Sequence, residues 1–370
     1  MSDFKYHEVI PENLRTEYSE YDNIDFILSF PNRSMNVGSV CIEGELIVQQ
    51  NGSFIVDQDI KLDHLVGSHS LWESITTTAN ASAGGQVLEN LTEYPRYAKM
   101  GNAATMGQGD ACNSENVCEL KTPFDQMTID ALQCEVPTTQ PTLPVRLAPD
   151  FSCKPLMCLN SGRGSLPHRR SGDLRVSVNL ARVNAVLFGV GVSAQTTYVL
   201  KDLKLTFTSV PDDGSNEPVV LKTKLGITQS IQTGFANVQT RVPAVCSAMT
   251  ASFQVQVNAN TPKNNNLDLN KVPNLTQTQF LWNDSTNTLI SYIIKSNSEV
   301  IDRAISSMVD TGKNSLSTQN LANNNGFLLG LDFDSQVDLS NQKFSLQLTS
   351  DINSGIPMIV YMYFHSQVNL

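Results

Sequence analysis

The chain is poor in charge. Asp, Glu, Lys and Arg make up 16% of its 370 residues, so Asn, Gln, Ser and Thr carry most of the polarity. Such a mix suits strands and turns; exposed helices favour Glu and Lys. Basic residues are the scarcer sign, 25 against 36 acidic, giving a net charge of −11. That balance argues against a protein that coats nucleic acid by neutralising phosphates, and no direct nucleic-acid binding is expected. No apolar run approaches the ~18 residues of a membrane span. The first twenty residues have neither a basic start nor an apolar centre, carrying Asp3, Glu8, Glu12, Glu17 and Glu20 instead. No secretory signal is read there, and folding in the cytosol or nucleus is expected. The six Asn-x-Ser/Thr triplets, at Asn32, Asn51, Asn80, Asn90, Asn274 and Asn283, are what chance gives in so Asn- and Ser-rich a chain.

Cysteine is present without a zinc pattern. Of seven, Cys112, Cys118, Cys134, Cys153 and Cys158 crowd one stretch, and none forms a Cys-x-x-Cys pair. Free thiols in a reducing compartment are the expectation, with pairing inside the cluster left open for an oxidising one. Tryptophan occurs only twice, and the two positions match. Trp72 follows the alternating strand around Leu46 by 26 positions, and Trp282 follows Val255 by 27. Each precedes another alternating strand and a last apolar one. The outline is one β-domain written twice, which bears on architecture before anything else.

Strand-like alternation recurs along the chain. Phe26, Leu28 and Phe30 form one run; Val40, Ile42, Gly44, Leu46 and Val48 share a face opposite Glu43 and Glu45. Asn51-Gly52 then marks a hairpin. Residues 86–99 read as a short helix around Val87, Leu88 and Leu91, broken by Pro95. From 101 to 170 periodicity dissolves among the cysteines, glycines and Pro137, Pro141, Pro144, Pro149 and Pro167, the mark of a long loop. Leu174, Val176, Val178 and Leu180 restore alternation, as do Leu203, Leu205 and Phe207. Pro211 to Pro218 is a polar linker. In the second half Val219, Leu221, Leu225 and Ile227, then Phe253, Val255 and Val257, then Phe327, Leu329, Leu331 and Phe333, and Phe344, Leu346 and Leu348, read as strands. Val300, Ile301, Ala304, Ile305 and Met308 have helical spacing. Pro357 to Phe364 is apolar on both faces, as in a covered central strand. Trp72 to Leu174 is 102 positions and Trp282 to Phe344 is 62, so the surplus of 40 lies in the cysteine-rich stretch.

The fold class expected is all-β: two tandem jelly-roll sandwiches with one or two short helices and a long loop inserted in the first. The expected division is an N-terminal arm over 1–21, a first jelly roll over 22–212 with the insertion at about 101–170, a linker at 213–218, and a second jelly roll over 219–370.

Chemistry is sparse. His64 and His69 lie five apart in a loop and leave a metal pair open, but no third ligand stands near them in sequence. Asp332, Asp334 and Asp338 lack the glycine and terminal glutamate of a calcium loop. There is no Gly-x-Ser-x-Gly elbow, and Gly101 to Gly109 lacks the phosphate-loop lysine. Arg163, His168, Arg169, Arg170 and Arg175 form one basic cluster, suited to a neighbour's acidic surface, an anion or a solvated edge. No catalytic, cofactor or metal residue is assigned.

Three stretches carry a family resemblance: His168 to Leu180 with Phe188-Gly189, Thr197 to Phe207, and Gly326 to Leu339 followed by Phe344 to Ser350 and Pro357 to Phe364. In pattern and order the chain resembles the double jelly-roll major capsid proteins of the adenovirus-hexon lineage, which includes polinton-like viruses, virophages and tailless phages. The resemblance implies a structural role in an icosahedral shell of a double-stranded DNA virus, made in the host cytoplasm or nucleus and located in the virion. It implies a homotrimer that forms a pseudo-hexagonal capsomer, with neighbouring capsomers, penton and minor capsid proteins and an internal membrane as partners. The inserted loop would project outward or clasp neighbours, and the arm would lie beneath the shell. Alternatives are a double jelly-roll amidase that strips glycans, needing paired carboxylates in a cleft, a minor or vertex capsid protein, and a carbohydrate-binding sandwich. The last would want exposed aromatics, whereas both tryptophans sit at core-like positions.

Overall fold

A computed structural model describes residues 3–54, 60–105, 118–121, 127–128, 150–162, 164–257, 259, 261–283, 288–308, 326–340, 342–351 and 355–370. The first half holds β1 (Lys5–Val9), β2 (Glu17–Ser19), β3 (Asn23–Leu28), β4 (Arg33–Asn36), β5 (Cys41–Gln50), β6 (Ser53–Phe54), β7 (Lys61–Leu62), β8 (Trp72–Ala79), β9 (Gln86–Thr92), β10 (Met127–Thr128), β11 (Asp150–Cys153), β12 (Ser165–Pro167), β13 (Leu174–Leu180) and β14 (Thr196–Pro211). Helix α1 (Tyr94–Thr105) follows β9. The second half holds β15 (Val220–Gln232), β16 (Phe235–Arg241), β17 (Val245–Val255), β18 (Leu275–Asn283), β19 (Leu289–Ile294), helix α2 (Asn297–Ser307), β20 (Leu329–Asp338), β21 (Lys343–Ser350) and β22 (Pro357–Asn369).

One pairing order occurs twice. In the first half β11–β5–β14–β1 form one layer and β9–β8–β13–β3 the facing one; β2, β4, β6 and β12 extend the former. In the second half β20–β17–β22–β15 face β19–β18–β21–β16. Strand for strand, β1, β3, β5, β8, β9, β11, β13 and β14 correspond to β15 through β22. The chain is two jelly-roll sandwiches in tandem. The tryptophans sit on corresponding strands, Trp72 at the start of β8 and Trp282 near the end of β18, and both are buried.

Alternation explains the layers. Ile24, Phe26 and Leu28 of β3, and Leu174, Val176, Val178 and Leu180 of β13, point into the first core, leaving Ser177 and Asn179 outside. Val40, Ile42, Leu46 and Val48 are buried as one face. Gly44 breaks their row because a Cβ there would lie 2.8 Å from Leu203 Cδ2 and 2.9 Å from the Lys201 carbonyl. Asn51 and Gly52 (φ 52° and 76°) turn β5 into β6 with Gln50 opposite Ser53, the two-residue hairpin the sequence indicates. In the second core Phe280, Phe344, Phe253 and Phe364 are fully buried. Each such ring contributes roughly 2–3 kcal/mol on transfer from water. β22 lies between β17 and β15, the covered central strand expected from its apolar run.

Three expectations change. Residues 86–92 are strand β9, not helix. The spacing of Val87, Leu88 and Leu91 imitates a helix because the ladder slips one residue between Thr77 and Thr78. Pro95 opens α1 rather than ending it, since a first-turn residue needs no amide partner. The N-terminal lead-in contains β1 and β2, both paired with β14, so it forms a sheet edge of the first sandwich. Val257 lies past the end of β17 and is exposed. The capped helix at 300–308 is present as α2, where the Ser296 hydroxyl accepts the Glu299 amide. Much of 101–170 lies outside the described residues, with Cys112, Cys134, Arg163 and Gly107–Gly109. Its described end is structural, since β11 is an outer strand on β5.

Candidate assembly surface

The two sandwiches meet through unlike edges. β9, at one edge of the first, runs parallel to β15, at the opposite kind of edge of the second, with Asn90 beside Leu225. The two half-sheets become one of eight strands. Buried polar groups tie the seam. Glu89 accepts the Lys224 amide at 2.9 Å and the Cys158 amide at 2.6 Å. Burial raises its carboxyl above the ordinary range, against the pull of Lys224. The Tyr363 hydroxyl donates to the Glu93 carbonyl at 2.8 Å. The Arg96 guanidinium lies 4.2 Å over the Tyr361 ring and donates to the Asn266 and Asp268 carbonyls. Asp63 accepts from Lys99 Nζ at 2.5 Å and Asn265 Nδ2 at 2.6 Å. Burial alone would raise the Asp63 pKa, but the Lys99 ammonium overrides it and holds the carboxyl below its usual range.

The basic cluster is turned onto its own chain. Arg170 donates to the Glu217 carbonyl at 2.6 Å and the Leu370 carbonyl at 2.9 Å. Arg169 pairs with Asp212 at 3.1 Å and donates to the Ser215 carbonyl. His168 meets Asp173 at 3.0 Å. Arg175 lies on the outer face of β13. The arginines therefore clamp residues 212–217 between β14 and β15, a use that their sequence does not disclose.

Of the two histidines, His69 enters a group of three metal-capable side chains, and among the described residues no such group includes His64. His69 sits in a single turn (Gly67–Leu71) and is buried beside Glu119 and Cys153, their ligand atoms within 4.8 Å of one another. Among the described residues this is the one such group of three metal-capable side chains. His69 Nδ1 lies 2.5 Å from the Tyr94 hydroxyl. Its Nε2 lies 3.3 Å from Glu119 Oε2, in ion-pair range but off the line of a hydrogen bond. Lys121 Nζ contacts the same Glu119 oxygen, and Trp72 Nε1 donates to Cys153 Sγ at 3.4 Å. Burial would lower the His69 pKa; the Cys153 sulfur and the Glu119 carboxylate override it and raise it to about 9. Burial would raise Glu119; His69 and Lys121 override it and lower it to about 2. The constellation carries a nucleophile, a base and a carboxylate. All three are buried, and the ammonium of Lys121 stands where a cation would bind the Glu119 oxygen. The arrangement is that of a charge-balanced interior network. Its members are 34 and 50 residues apart, and nothing in their spacing announces it.

The remaining candidates are local. Asp332 accepts the Asp334 amide at 2.9 Å, and Asp338 accepts the Ser340 amide at 2.9 Å, so these carboxylates cap their own turns. Cys118 is exposed and Cys41 half-buried; Cys153, Cys158 and Cys246 are buried, all five as free thiols. Burial, with Asp338 nearby, pushes the Cys246 thiol up to about 12.

Several strands end their sheets among the described residues, β3, β11, β12, β16 and β20 among them; two further such edges are β19, paired only with β18, and β1 with β2, paired only with β14, the counterparts of the two strands that meet at the seam. Both expose large apolar side chains, those at β1 standing beside the charged Lys5 and Glu8. Leu289 and Ile293 of β19 are exposed, as are Phe4, Tyr6 and Ile10 at β1. Large exposed apolar side chains concentrated at sheet edges are the usual mark of a contact surface.

No protein-family model matches the chain, and no curated protein matches its sequence. Solved structures do. The Faustovirus major capsid protein is similar over 100% of this chain and 90% of its own, with a TM-score of 0.64 at 8% identity. The PBCV-1 protein VP54, fitted into a reconstruction of the virophage Sputnik, gives 0.61 at 8%, over 100% of this chain and 95% of its own. The mavirus major capsid protein gives 0.53 at 7%, over 99% and 90%. The chain shares the double jelly-roll fold with these proteins from end to end.

Proposed function

We propose that the chain is a shell-building unit: the major capsid protein of an icosahedral double-stranded DNA virus, which gathers in threes into a pseudo-hexagonal tile. The observation that carries this reading is the seam of unlike edges. A contact between the same edge of two copies is self-limiting; a contact between different edges repeats, and closes into a ring when the rotation allows. Here the first step of such a ring is built into one chain. Three chains supply six jelly rolls. The whole-length likeness to capsid proteins supports the same reading.

We place the division between the jelly rolls at 213–218, the segment the arginines hold. Partners would be two further copies, neighbouring tiles and the vertex and minor proteins of a particle, and the location the virion. The acidic surface, with a net charge of −11, suits a wall that does not grip the genome. An enzymatic role finds less support, because the Cys153, His69 and Glu119 group is shut inside the first sandwich. Light scattering on the purified chain is the test. The expected particle has three times the 40.6 kDa chain mass and a six-cornered outline in negative stain. A stable monomer at micromolar concentration overturns the reading.

A further inference from the structure

Resting on the trimeric reading above, we propose where one copy grips the next: β19 of one chain docks beside the β1–β2 edge of a second copy. The strand correspondence leads there directly. Within the chain, β9 of the first jelly roll lies beside β15 of the second. The counterpart of β9 in the second jelly roll is β19, and the counterpart of β15 in the first is β1. The same contact, made between copies, joins β19 to β1. Each chain carries one β19 edge and one β1 edge, so in a ring of three copies each of these finds its match.

The side chains fit this assignment. β19 reads Leu289-Ile-Ser-Tyr-Ile-Ile294, with no charge, proline or bulge to guard it. Exposed edges are ordinarily blunted by such devices, and an unguarded apolar edge is one that something covers. Tyr292 and Ile294 turn inward, while Leu289 and Ile293 turn out and are 63% and 41% exposed. Opposite them, β1 is anchored from behind: His7 stacks on Phe207 with centroids 4.4 Å apart and donates to or accepts from Ser209 Oγ at 2.8 Å. Tyr6, on the other face, is 52% exposed. The parallel run of β9 along β15 gives the expected direction, so the sheet of β16, β21, β18 and β19 would continue into the neighbour's β1–β14 layer.

The experiment compares the full-length chain with Leu289→Asp/Ile293→Asp, with Tyr6→Asp, and with Phe235→Asp. Phe235 is an equally exposed residue on β16, at the far edge of the same sheet as β19. Light scattering reads the oligomer; intrinsic fluorescence melting reads folding. The expected result is a wild-type trimer, edge variants that associate on the order of 100-fold more weakly, and an unaffected Phe235→Asp. Should the double Asp variant fail to fold, Leu289→Ser/Ile293→Ser replaces it. Edge variants that stay trimeric overturn the docking assignment and leave the trimer standing. Loss of the trimer in Phe235→Asp as well overturns it too, since association would not depend on these edges. A monomeric wild type overturns the assignment together with the reading beneath it.

Discussion

Replacing Glu119 by Gln removes one negative charge from between His69 and Lys121, both buried. The structure sets the scale. His69 is raised from 6.5 to about 9 and Glu119 lowered from 4.5 to about 2. At about 1.4 kcal/mol per unit, each end gives about 3 kcal/mol. Cys153 shares in the rise of His69 and Lys121 in the fall of Glu119, so the Glu119–His69 contact accounts for part of each and the two figures are not added. Losing the carboxylate leaves two buried cations facing one another, and about 3–5 kcal/mol is the usual cost of such a break. The pH dependence follows from the signs. The raised His69 contributes fully below pH 6.5 and loses its contribution as pH rises to about 9. The lowered Glu119 contributes fully above pH 4.5 and loses it as pH falls to about 2. The contribution of this pair to wild-type stability should therefore be flat between about 4.5 and 6.5 and decline on both sides. Trp72 is a local reporter, since its indole donates to Cys153 in the same network. In a Trp282→Phe background, Trp72 fluorescence should show Glu119→Gln melting roughly 6–12 °C lower at pH 6. Equal melting temperatures at pH 6, or a wild type whose stability does not fall between pH 6.5 and 9, would refute the reasoning.

Asp268 tests the seam in the opposite sense. Burial, with Asp63 adding to it and Lys99 and Arg96 opposing, raises its carboxyl to about 6, so ionisation costs stability as pH climbs from about 4 to 6. Asp268→Asn should stabilise the protein by about 1–3 kcal/mol at pH 7.5 and not at pH 4, read by denaturant titration; equal effects at both pH values would count against it. Arg170→Ala should free the segment it holds, and cleavage by a protease that cuts on the amino side of aspartate, at Asp213, should speed up several-fold while the core melt stays within about 1 kcal/mol. An unchanged cleavage rate would mean that the arginine does not secure the linker.

The duplicated sandwich was legible because its inner strands obey simple alternation. Val176 and Val178 of β13, and Leu346 and Leu348 of β21, each face a core on one side and water on the other, so period two survives in the sequence. Strands that break this pattern do not show as strands in the sequence. β9 carries a register slip, and its apolar residues fall at helical spacing. β1 half-buries only His7 and Val9 against β14 while Lys5, Tyr6 and Glu8 face solvent, so it looks like an irregular lead-in. The interior charge network was out of reach for another reason. His69, Glu119 and Cys153 come from three separate segments, and only the closing of the barrel brings them together. The arginine cluster was visible as composition, but its partners are backbone carbonyls, which have no signature in a sequence.

The eight-stranded layer that runs through both halves has a mechanical meaning. A chain whose two barrels share one hydrogen-bonded surface, with buried polar groups locked across the join, has no hinge at its waist. Whatever bending a larger assembly of these molecules needs must come from the angles between separate copies, and each molecule would behave as a stiff voussoir, fixed in shape before the arch is raised.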